Sequence, residues 1–65
     1  MINARAVTLY NKAPQGGIVQ SSFCFERSAL NYAREAGLSQ FVIAVEGRVI
    51  HSHNVGDTYG FMHGR

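Results

Sequence analysis

Arg27-Ser28-Ala29-Leu30-Asn31-Tyr32-Ala33-Arg34-Glu35-Ala36-Gly37 decides the fold, because the hydrophobic period changes there from two to that of a helix. Ala29, Leu30, Ala33 and Ala36 recur at i, i+3/i+4 spacing, with Tyr32 at the margin, which predicts an amphipathic helix. Ser28 is placed to cap its start, and Glu26 lies near the positive end of the dipole. Gly37 suits the left-handed stop, with Leu38 as the apolar contact that accompanies it.

On either side of this helix the period is two. Arg5 to Asn11 predicts a strand with Val7 and Leu9 on one face and Ala6, Thr8 and Tyr10 on the other. Lys12-Ala13-Pro14-Gln15-Gly16-Gly17 predicts a turn, since proline presets one dihedral and glycine accepts positive φ. A second strand runs from Ile18 to about Phe25, with Val19, Ser21, Phe23 and Phe25 on one face and Ile18, Gln20, Ser22 and Cys24 on the other.

After the helix, Phe41 to Val45 is a continuous apolar run, Glu46-Gly47 suits a two-residue turn, and Arg48 to about Asn54 returns antiparallel. Regular pairing then sets Val45 against Arg48 and Ile43 against Ile50, with Phe41, Ile43, Val45 and Ile50 on one face. Val42, Ala44, Val49, His51 and His53 share the other. Val55 to Arg65 has neither period and reads as an irregular Gly/aromatic tail, so the compact domain is expected over 1–54 and the tail over 55–65.

The order β-β-α-β-β predicts an α+β fold: a single-layer antiparallel sheet with one helix on one face. The helix stripe of Leu30, Ala33 and Ala36 is expected over Val7 or Leu9, Phe23, Phe25, Phe41, Ile43 and Ile50. The opposite face then carries Tyr10, Val42, Val49, His51 and His53, more apolar than a solvated surface needs to be.

Composition bounds the function. In 65 residues, 46% are apolar and 15% charged, which fits one small folded domain and not a disordered segment. Dinucleotide-binding folds, barrels and kinases are too large for this length. Six basic residues against four acidic give +2, and the cations are scattered singly, not clustered as in a nucleic-acid footprint. Cys24 is the only cysteine and forms no internal disulfide, which favours a reducing compartment. Met1 to Arg5 lack the apolar stretch of a signal peptide, and the longest apolar run falls far short of the ~18 residues of a membrane span. The expected setting is the cytoplasm.

Several constellations carry a chemical reading beside a plainer one. His51-Ser52-His53 puts two imidazoles about 6–7 Å apart on a strand, with His63, Asp57 or Cys24 as a third metal ligand. No further ligand spacing supports it, and two polar-tipped rings on a half-exposed strand is the stronger reading. Cys24, a histidine and Asp57 supply the residue types of a nucleophile, base and orienter. A mid-strand cysteine is more often a small hydrophobe. Gly16-Gly17 lacks the Lys-Ser/Thr of a phosphate loop and reads as a hairpin turn. No metal, cofactor or catalytic group is assigned.

Two functions remain. The first is a non-enzymatic protein-binding regulator or inhibitor, contacting its partner through Tyr10, Val49, His51, His53, Tyr59, Phe61, Met62 and Arg65 on an exposed sheet face or edge and the aromatic tail. Pairing of edge strands into a homodimer belongs to this reading. Regulators of this size are frequent in bacteriophages and mobile elements, an analogy of class only. The second is a single-strand nucleic-acid module, stacking bases on Tyr10, Tyr59 and Phe61 beside Arg5, Arg48 and Arg65.

Overall fold

A computed structural model describes residues 6–63. Its elements are β1 (Val7–Lys12), β2 (Ile18–Phe23), α1 (Glu26–Glu35), β3 (Phe41–Val45), β4 (Arg48–His53) and α2 (Thr58–Met62). The strands form one antiparallel sheet in the order β2-β1-β3-β4, so the fold is the expected α+β arrangement with one main helix. No helix among the described residues is long and apolar enough to cross a membrane.

The first hairpin closes through Pro14. The Gly16 amide donates to the Ala13 carbonyl at 2.9 Å, and the Ala13 amide donates to the Gly17 carbonyl at 2.7 Å. Gly16 takes φ +108°, as a three-residue hairpin loop requires. Ala13 and Gly17 being a bonded pair sets the alternation beyond them. Val19, Ser21 and Phe23 therefore aim their backbone groups at β1, and Ile18, Gln20 and Ser22 aim theirs outward.

Helix α1 starts earlier than its best capping side chain. Phe25 occupies the cap position without a side-chain hydrogen bond, and Ser28 lies inside the helix. A capping hydroxyl contributes about 1 kcal/mol. Starting at Glu26 adds a turn that seats Ala29, fully buried, against the sheet. Two further expectations change. Phe25 is 67% exposed instead of in the core, and Ala36 is an exposed C-cap.

The buried stripe is Ala29 and Ala33, which joins Val7, Leu9 and Ile43 in one cluster flanked by Phe23, Leu30, Leu38, Phe41, Val45 and Ile50. The helix stops as expected. Gly37 at φ +65° donates to Arg34, and the Leu38 amide donates to the Ala33 carbonyl, both at 3.1 Å. Gly37→Val is expected to destabilise by about 1–2 kcal/mol, since a β-branched residue is strained at that φ. Urea unfolding followed by circular dichroism checks it, and an unchanged midpoint would refute the strain.

The second hairpin turns through Glu46 at φ +53° and Gly47 at φ +81°, the mirror-image turn that suits twisted strands. Val45 pairs with Arg48 as expected. The next pairs do not follow. Ala44 lies opposite Val49 and Ile43 opposite His51, so Ile50 is an extra residue in a β-bulge. Beyond it the faces exchange. His51 and His53 lie on the α1 side, and Ser52 takes the far-face position opposite Val42.

Val42 and Ala44 are buried yet stand outside the α1 cluster, because α2 approaches β3 from the other side. Regular pairing would have set His51 opposite Val42 on that face. The bulge sets the exposed Ser52 there instead and carries both imidazoles to the α1 face.

Helix α2 corrects the reading of 55–65 as irregular. Its start is capped by Asp57, whose Oδ1 accepts from the Gly60 amide at 3.0 Å, and Phe61 and Met62 are half-buried. The approach to it is held by Asn54, at φ +55°. Its Nδ2 donates to the Ser39 carbonyl at 3.1 Å, while Gln40 Nε2 donates to the Asn54 carbonyl at 3.0 Å.

Candidate interaction surface

The residues singled out from sequence do not form one surface. Tyr10 and Val49 are half-buried on the far face, the side α2 covers. On α2 itself, Tyr59 is 70% exposed with its ring 4.3 Å from that of His63, while Phe61 and Met62 are half-buried. His51 and His53 are exposed on the opposite side of the sheet, with α1. The His53 ring stacks on Phe41 at 5.5 Å between centroids. His51 Nε2 lies 3.7 Å from Glu26 Oε2 in the first turn of α1. Both partners are solvent-exposed, so this pair adds little to stability. Arg5 and Arg65 lie outside the described residues.

The other candidate groups are also placed apart. Among the described residues, no group of three or more His, Cys, Asp or Glu side chains is arranged to hold a metal ion. Cys24 is exposed just after β2, and the Asp57 carboxylate is engaged as the cap of α2. Arg27 and Arg34 stand two turns apart on α1. Lys12 ends β1 on the far face, and Arg48 begins β4 on the α1 face, at the opposite end of the sheet.

The two edges of the sheet differ sharply in chemistry. Strand β4 carries Arg48, His51 and His53 on its α1 face and is broken by the bulge at Ile50. Edge cations and bulges are the devices by which proteins discourage a further strand. Strand β2 has none of them. Ile18-Val19-Gln20-Ser21-Ser22-Phe23 holds no charge and no proline, and pairs with β1 without a register shift. No strand lies beyond it among the described residues. The outward amides and carbonyls of Ile18, Gln20 and Ser22 are a row of open hydrogen-bonding groups.

Beside this edge runs an apolar strip on the α1 side. Val19 is 43% exposed, and Phe23 packs its ring 5.5 Å from Tyr32 of α1, which is 42% exposed. Sequence reasoning recognised β2 and its faces but not its place at the edge. The one signal was its freedom from charge, which also suits a central strand. Comparison with known protein families, with curated proteins and with solved structures finds no match to this chain.

Proposed function

We propose that the chain is a small, non-enzymatic protein-binding regulator or inhibitor that takes up a partner by strand addition along β2. The observation that carries this reading is the asymmetry of the edges: β4 is interrupted by a bulge and carries the Arg48 cation, while β2 pairs without a register shift and is uncharged and open. Strand addition draws affinity from main-chain hydrogen bonds and specificity from flanking side chains, here Val19, Phe23 and Tyr32. Surface exposure of the lone Cys24 supports a reducing, cytoplasmic setting. Of the sheet face, edge and aromatic tail that the sequence offered, this reading takes the edge and specifies β2. Among the described residues the nucleic-acid alternative loses support, because Tyr10 lies on the far face of the sheet and Arg48 on the α1 face.

Gln20→Pro tests the proposal. The Gln20 amide points away from β1, so proline removes an outward donor without removing a bond of the fold. In affinity capture from lysate, the wild-type chain is expected to retain a protein at high salt and after nuclease treatment. The folded Gln20→Pro variant is expected to lose it. Capture that vanishes with nuclease, or falls steeply with salt, would replace this reading with nucleic-acid binding.

A further inference from the structure

We propose that the strand β2 takes up is β2 of a second copy of this chain, joining two sheets into one of eight strands about a two-fold axis through Ser21. This rests on the edge reading above and names its partner.

The argument is self-complementarity. A two-fold axis perpendicular to the sheet pairs β2 antiparallel with itself and keeps both α1 helices on the same side. Residues near such an axis meet their own kind, so any charge there would face a like charge. Strand β2 has no charge to repel and no register shift, whereas β4 carries Arg48 and is interrupted at Ile50.

Geometry narrows the register. Only residues on the same face can lie opposite one another, and bonded pairs must be made by Ile18, Gln20 and Ser22, whose backbone groups point outward. An axis at Ser21 satisfies both conditions. Gln20 then exchanges hydrogen bonds with Ser22 of the second copy, and the two Ser21 residues form the non-bonded pair at the centre.

On the α1 face this register sets Val19 against Phe23 of the second copy, on each side of the axis. The exposed valine covers the ring that Tyr32 leaves open. An axis at Gln20 meets the bonding conditions too, but sets Val19 against Ser21 and leaves Phe23 uncovered. Apolar coverage favours Ser21.

Sedimentation equilibrium of the wild-type chain is expected to show a dimer, and Gln20→Pro to weaken it by at least about tenfold while circular dichroism stays unchanged. Register is read by cross-linking in a Cys24→Ser background. A central non-bonded pair holds its Cα atoms about 4.5 Å apart, within the range of a disulfide. Ser21→Cys is therefore expected to form a disulfide dimer under mild oxidation faster than Gln20→Cys does. The reverse order would overturn the Ser21 axis. A wild-type chain that stays monomeric up to about 1 mM overturns self-pairing but leaves strand addition by another protein standing. A dimer that Gln20→Pro leaves intact forms through another surface and overturns self-pairing along β2, whereas loss or retention of the captured partner in the same variant decides the proposed function.

Discussion

Ile43→Ala is expected to cost about 2–5 kcal/mol, measured as the fall in unfolding free energy in urea. Ile43 is fully buried on β3, opposite Leu9 of β1, in the cluster that includes Ala29 and Ala33 of α1. Truncation removes three heavy atoms from this cluster, and its neighbours cannot collapse into the space. Two of them, Ala29 and Ala33, have no side chain long enough to fill it. A chain of 65 residues has a total stability of about 3–10 kcal/mol, so the variant is expected to be substantially unfolded at 37 °C. Ile50→Ala, at the half-buried bulge, should cost less than half as much. A loss below about 1 kcal/mol for Ile43→Ala would remove that residue from the core.

Val42→Asp is expected to be the more damaging change, at least about 4 kcal/mol, enough to prevent folding. Val42 is fully buried on the face away from α1, between Tyr10 of β1 and Ser52 of β4. A carboxylate there would lie in the layer that α2 closes, with no cation placed opposite it. The control is Ser52→Asp, one strand away on the exposed edge, where water can solvate the charge. That variant is expected to fold, with a change within about 1 kcal/mol. Equal behaviour of the two variants would mean that α2 does not seal the far face. Chemical-shift dispersion and urea midpoints distinguish these outcomes.

How far the sequence foretold this structure depended on whether the signal was local. The 29–33 spacing, the stop at Gly37 and the turn at Glu46-Gly47 are set by dihedral preference and period, and each is observed where the residues place it. Three readings failed, each for its own reason. Ser28 is not the cap because the helix begins at Glu26, one turn before the residue type that best fits the position. The histidines changed face because Ile50 became an extra residue, and a bulge leaves no mark on a two-residue period. Helix α2 was hidden by Gly60, although Asp57 three residues earlier is an ordinary capping signal. For the candidate site, the faces of β2 were legible, but sheet order was not. Which strand stands outermost depends on β1 pairing with β3, whose partners, from Asn11 and Phe41 to Val7 and Val45, are far apart along the chain.

The extra residue at Ile50 also bears on how far a sheet of this kind can grow. A protein with two open edges is a template at both ends, and each addition exposes another template, which is the route to a cross-β fibre. Under the proposed strand addition along β2, propagation would run from one side only, because β4 presents a border kinked at Ile50 and charged at Arg48 to the next arrival. The bulge would then act as a chain terminator, holding the assembly to a finite size.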